Sequence, residues 1–197
     1  EESIMQKKAL VIIDIQNDAT IKRFGGNSQQ EPDRDWACCA MTLYSKSEAC
    51  VLHKNGAASF FDIDNQKRTC VVHLDDANNG FFVSHYNNQF IATCPGKCCA
   101  FNKSSKVSEF ETIPNPSCST IYEDLAAYGR LNDRTVVYDI NAGEQTWTSA
   151  KPPPDELGLD VPDDDRSLLF FDRNTLIVGQ NDSIVLIYDI RADENPI

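Results

Sequence analysis

Apolar runs of strand length alternate with short polar turns along this chain, and five of the runs close on the same phrase. The copies are LVIIDIQND (Leu10 to Asp18), SFFDIDN (Ser59 to Asn65), CCAFNK (Cys98 to Lys103), VVYDINA (Val136 to Ala142) and LIYDIRA (Leu186 to Ala192). Asp14, Asp62, Asn102, Asp139 and Asp189 fall 48, 40, 37 and 50 residues apart. Each copy after the first is preceded by another apolar run and a polar turn, as in ACVLHKNGAASFFDI, QFIATCPGKCCAFN, LAAYGRLNDRTVVYDI and LIVGQNDSIVLIYDI. The turns are centred on Asn55-Gly56, Pro95-Gly96, Asn132-Asp133 and Asn181-Asp182, so each unit predicts a β-hairpin.

A period of roughly 40 to 45 residues ending in an aromatic-Asp-aliphatic strand predicts a WD-repeat β-propeller, an all-β fold of four-stranded blades. The hairpins are then strands c and d of each blade. Upstream of them CCAMTLY (Cys38 to Tyr44), GFFVSHY (Gly80 to Tyr86), CSTIY (Cys118 to Tyr122) and SLLFF (Ser167 to Phe171) are candidates for strand b. CVVHL (Cys70 to Leu74) and TIKRF (Thr20 to Phe24) are candidates for innermost strands. The expected division is a closing d strand at 10–16 and four blades at 17–64, 65–103, 104–141 and 142–191. A leading d strand without the rest of its blade fits the N-terminal half of a seven-bladed ring.

Composition narrows the partners. The chain holds 30 acidic and 18 basic side chains, a net charge of −12, which disfavours general binding to a phosphate backbone because that energy comes from Lys and Arg displacing counterions. The basic pairs Lys7-Lys8, Lys22-Arg23 and Lys67-Arg68 are small and read as solvated loop charge. No run of 18 apolar residues occurs, so no membrane partner is expected, and EESIMQKKALVIIDI does not read as a signal peptide. Of the eight cysteines, Cys38, Cys39, Cys98 and Cys99 sit inside apolar strands, and His53, His73 and His85 follow no ligand spacing. Neighbours on a strand point to opposite faces, so Cys98 and Cys99 are poorly placed to share an ion. Reduced, buried thiols, no metal and no cofactor are the expectation, in a nuclear or cytosolic compartment.

One segment points elsewhere. KKALVIIDIQND resembles the opening strand of the isochorismatase-like cysteine hydrolases, which implies Asp14 as acid/base and, by order along the chain, Cys118 in NPSCSTIYE as nucleophile. Against this, Asp14 shares its setting with Asp62, Asp139 and Asp189, and no segment has the spacing of an amphipathic crossover helix. The stretch SCSTIYEDLAAYGRL comes nearest, but its middle matches the hairpin layout.

From Asp33 onward the chain resembles the family of WD repeat-containing protein 74, which includes the Nop-seven-associated protein one. The resemblance is carried by DRDWACCAMTL, ACVLHKNGAASFFD, GFFVSHYNNQFIATC and DRTVVYDINAGEQTWTSAK, and above all by KPPPDELGLDVP. Lys151, Asp155, Leu157, Leu159 and Pro162 keep the family's linker spacing, and three prolines rule that stretch out as a central strand or helix. After Pro162 the chain departs from the family, with Asp163, Asp164, Asp165 and Arg166 in place of an apolar residue and Trp. The resemblance implies a non-enzymatic assembly factor of the nucleolus or nucleus. Such a factor rides on the large ribosomal subunit precursor, touching assembly factors, ribosomal proteins and ribosomal RNA, and is released by an AAA ATPase. The candidate binding residues are Lys151, Asp155, Asp163, Asp164, Asp165 and Arg166. A generic WD-repeat scaffold or adaptor in another complex is the alternative.

Overall fold

Alternating polarity and turn chemistry produce antiparallel hairpins throughout. The computed structural model describes residues 10–12, 22–24, 38–65, 67–74, 80, 82–151, 157, 164–192 and 195–197. The described residues form strands and turns without an α-helix; one 3-10 turn covers Asn181–Ser183. Sheet one holds β3 (Cys38–Leu43), β4 (Glu48–His53), β5 (Ala57–Asp62) and β6 (Lys67–His73), following the pair β1 (Leu10–Ile12) and β2 (Lys22–Phe24). Sheet two holds β7 (Phe82–Tyr86), β8 (Gln89–Cys94), β9 (Lys97–Phe101) and β10 (Lys106–Glu111). Sheet three holds β11 (Cys118–Tyr122), β12 (Leu125–Gly129), β13 (Val136–Asp139) and β14 (Glu144–Thr148). Sheet four has three strands, β15 (Asp165–Phe170), β16 (Thr175–Gln180) and β17 (Val185–Asp189). Every pairing is antiparallel and joins strands adjacent in sequence.

The turns explain the registers. Asn87 and Asn88 both take positive φ (49° and 63°), as a two-residue hairpin loop twisted with its strands requires, and Asn tolerates that region. Pro95 precedes Gly96 at φ 78°, the layout of a type II turn. The repeated Asp or Asn has a local task. Asp62 Oδ1 accepts from the Asn65 N–H at 3.0 Å, and Asn102 Oδ1 accepts from Ser104 and Ser105 at 2.8 and 2.9 Å. Asp139 Oδ1 accepts from Asn141 and Ala142 at 2.8 and 2.9 Å, and Asp189 Oδ1 accepts from Arg191 at 3.0 Å. At the end of the third strand this side chain caps the turn that follows. Asp14, the fifth member, lies outside the described residues.

Hydrogen bonding across that capped turn joins the third strand to the fourth, and it corrects the expected borders. Divisions at 64/65, 103/104 and 141/142 would part β5 from β6, β9 from β10 and β13 from β14, yet each pair is hydrogen-bonded, as in Ala57 with His73, Lys97 with Glu111 and Val136 with Thr148. The sheets instead run 38–73, 82–111, 118–148 and 165–189. Strands expected second in each sheet are first, and the Cys70 to Leu74 run, expected innermost, lies at the far edge of sheet one. Likewise Leu10–Ile12 and Lys22–Phe24 pair with each other, where two separate blades were expected.

First strands lie against one another, β3 beside β7 and β11 beside β15, and cores form between successive sheets. Between sheets one and two pack Leu52, Phe60, Val83, Phe90, Cys99 and Phe101. Ile91, Cys98 and Ala100 leave the other face of sheet two and meet Tyr128 and Val136 of sheet three. Sheets three and four enclose Val137, Trp147, Phe170, Leu176 and Tyr188, with the Trp147 ring edge-on to Tyr188 at 5.2 Å. Middle strands buried on both faces therefore read as continuous apolar runs. At about 25 cal/mol per Å² of apolar surface, these layers are the main stabilising element.

Candidate docking surface

Antiparallel connectivity places turns at two rims. Turns joining first to second and third to fourth strands share one rim; turns joining second to third strands, together with the connections between sheets, share the other. The second rim carries the sequence candidates. Lys151 is exposed at the start of the β14–β15 connection, and Leu157 within it is 82% exposed. Asp155 and Asp163 lie outside the described residues.

The structure brings Asp164 and Arg166 together around Asn181. The Asn181 Nδ2 amide donates to Asp164 Oδ2 at 2.9 Å, Arg166 Nε donates to Asn181 Oδ1 at 3.0 Å, and Arg166 Nη2 lies 3.4 Å from Asp164 Oδ2. Asp164 also bridges its backbone to Leu131, next to the Arg130–Asp133 ion pair. Asp165 departs from expectation. It is 1% exposed, and its carboxylate accepts from Thr135 Oγ1 at 2.6 Å, Gln180 Nε2 at 3.1 Å and the Arg130 N–H at 3.3 Å. Strand alternation turns it away from its exposed neighbour Arg166, so it ties sheet three to sheet four and presents nothing to a partner. Burial pushes its carboxyl above the ordinary value, against the pull of the Thr135, Gln180 and Arg130 donors.

A concavity assembled from three hairpins lies on the opposite rim between sheets one and two. It has a volume of about 420 Å³ and is lined by Tyr44, His85, Asn88, Phe90, Asn102, Lys103 and Ser104. Phe90 anchors its floor, with the Tyr44 ring edge-on at 4.8 Å and the His85 ring tilted at 4.8 Å. Lys103 Nζ sits 5.0 Å from the Tyr44 ring centre and 2.7 Å from Glu48 Oε1. That contact raises the Lys103 ammonium and lowers the Glu48 carboxyl, each mainly through their hydrogen bond. Sequence reading misses this notch because its residues come from turns up to 60 positions apart, Tyr44 to Ser104; an aromatic beside each of two turns was the only local sign.

The cysteines form no site among the described residues: none of the eight is joined in a disulfide, and no group of three or more His, Cys, Asp or Glu is placed to hold a metal. Cys98 faces sheet three and Cys99 faces sheet one, and burial pushes the Cys50 and Cys98 thiols up to about 12. The Cys118 thiol is also raised, chiefly by burial, the reverse of an activated nucleophile. Asp14 lies outside the described residues, and the described sheets are antiparallel where the fold of the cysteine hydrolases has parallel strands and crossover helices.

No protein-family model and no curated protein matches the chain. Among solved structures it is similar to two computationally designed proteins, Ika8 (TM-score 0.61) and Ika4 (TM-score 0.59), each at 15% identity over 81% of this chain. The matched part covers 48% of Ika8 and 94% of Ika4, so the chain spans about half the length of the former. At that identity the likeness concerns the fold: an all-β protein of four antiparallel sheets with three or four strands each.

Proposed function

We propose that the four sheets are blades of a WD-repeat propeller, about half of a seven-bladed ring, and that the protein is a non-enzymatic docking platform in nucleolar maturation of the large ribosomal subunit precursor. The propeller reading is supported by first strands set side by side and by cores sandwiched between successive sheets. Apolar side chains exposed on β3 (Met41 57%, Leu43 62%) and at the end of β15 (Leu169 58%, Phe171 73%) support an arc that continues into further blades.

The ribosomal reading rests on the linker resemblance, and the observation that carries it is the exposure of Leu157 beside a spaced Lys151, Asp155 and Pro162. A leucine turned to solvent in a proline-rich stretch of sequence is the composition of a docking segment. Assembly factors and ribosomal proteins are the proposed partners, ribosomal RNA a local one, and an AAA ATPase the releasing machine.

The test is affinity purification of the tagged protein from its own cells, followed by gradient fractionation and mass spectrometry. Co-migration with large-subunit precursors, weakened by Leu157→Asp with Lys151→Glu, supports the reading. Recovery of ligase or trafficking subunits without ribosomal proteins would retire it in favour of a general adaptor.

A further inference from the structure

The Tyr44 notch has its own electrostatic setting, opposite in sign to the protein as a whole. Around it the rim carries Lys46 in the β3–β4 turn, Lys67 and Arg68 opening β6, and Lys103 with Lys106 at the β9–β10 turn. Four carboxylates, Glu48, Asp62, Asp64 and Glu109, share that stretch, and Glu109 Oε2 lies 3.0 Å from Lys106 Nζ. Farther along the same rim, sheets three and four place Glu123, Asp124, Asp139, Glu144, Asp172 and Asp189 against Arg173 and Arg191. The rim is therefore basic around the notch and acidic beyond it, in a chain of net charge −12.

Inside the notch, donors outnumber acceptors. Asn102 spends its Oδ1 on Ser104 and Ser105, which leaves its Nδ2 group for a ligand. The side-chain amide of Asn88 and the ring nitrogens of His85 have no hydrogen-bond partner among the described residues, and both line the notch with the Ser104 hydroxyl. Lys103 is held by Glu48 and by the face of the Tyr44 ring, and the two side chains of its ion pair are 46% and 36% exposed, so exchange of Glu48 for another carboxylate costs little. The Tyr44 and His85 rings, 5.5 Å apart and tilted at 43°, form an aromatic wall above Phe90.

We propose that this notch binds a short acidic peptide segment, with an apolar or aromatic side chain entering against Tyr44 and His85 and a neighbouring carboxylate of the peptide taking Lys103 from Glu48. The volume suits one large side chain with the backbone that carries it. Asn88 and Asn102 donate to the peptide carbonyls. A polynucleotide would bring a line of phosphates onto a surface where six carboxylates follow the basic stretch, whereas a short peptide confines its charge to that stretch. The inference stands on the fold alone and is independent of the ribosomal reading.

The test uses the full chain and a fluorescein-labelled peptide with one Phe set among Asp and Glu residues, titrated by fluorescence anisotropy at low salt. A Lys-for-acid version of the peptide and a labelled oligouridylate are titrated in parallel. Saturable binding of the acidic peptide is expected, weakened roughly tenfold or more by Lys103→Met and preserved in Lys103→Arg. His85→Ala is expected to weaken it as well, with thermal unfolding of all three variants showing an intact fold. Equal binding to wild type and Lys103→Met, no binding of the acidic peptide, or tighter binding of the oligouridylate or the basic peptide overturns the proposal.

Discussion

Asp62, Asn102, Asp139 and Asp189 do the same work because Asp and Asn share the one atom it needs, an Oδ1 acceptor three bonds from Cα. The charge is secondary. Asp139→Ala should lower stability by about 1 kcal/mol, the usual cost of losing a side-chain cap, while Asp139→Asn should cost much less; urea denaturation of both distinguishes them. Asp189 adds an ion pair to its cap, and Arg191 holds its carboxyl down to about 2. Asp165 behaves in the opposite sense. A carboxyl whose folded value lies above the unfolded one, about 3.9, adds stability below that pH and loses it as pH rises through the folded value. Comparing wild type with Asp165→Ala, the stability difference should therefore be largest in acid and shrink toward neutrality, read from urea midpoints across the pH range. The repeat of Asp was visible in the sequence, since it is a local feature. The role of Asp165 was hidden in a run of acids, because Thr135 and Gln180 reach it from 30 and 15 positions away.

The hairpins were legible for the same reason: polar turns and apolar runs are local. Which strand the fourth one joins was not. Between β5 and β6 the capped turn is short, while eight residues separate the end of β6 at His73 from the start of β7 at Phe82, and only that contrast decides the grouping. An aromatic-Asp phrase marks the end of the third strand equally well under either division. Sheet-to-sheet contact leaves a weaker trace still, and Gly129 carries it. A Cβ there would come within 2.6 Å of Cys118 Sγ and 2.7 Å of Asp165 Cβ, so β12 needs a glycine where β11 and β15 both close on it. Gly129→Ala should cost about 1 to 3 kcal/mol by overpacking, measured as a lowered denaturation midpoint with an unchanged slope. Gly96→Ala probes a different constraint, since its neighbours leave room and only φ 78° opposes the side chain.

The same local-versus-distant divide governs the whole molecule, where the two outer sheets matter most. Sheets two and three are covered on both faces, whereas the two outer sheets leave apolar side chains to water: Met41 and Leu43 on β3, and Leu169, Phe171 and Val185 in sheet four. Among the described residues no strand pairs with the outer edge of β17, where the Ile197 N–H donates to the Ile187 carbonyl at 2.8 Å. Open edges and apolar faces together favour association with whatever can pair and cover them. The 197-residue polypeptide made by itself should accordingly self-associate as its concentration rises, seen as a mass above 22.0 kDa by light scattering on a sizing column. Phe171→Glu, at 73% exposure, should reduce that association without lowering the unfolding midpoint, because the ring contributes to no core between sheets. A monomer at every concentration tested would mean that these apolar faces do not drive association, and would count against their continuing into further blades.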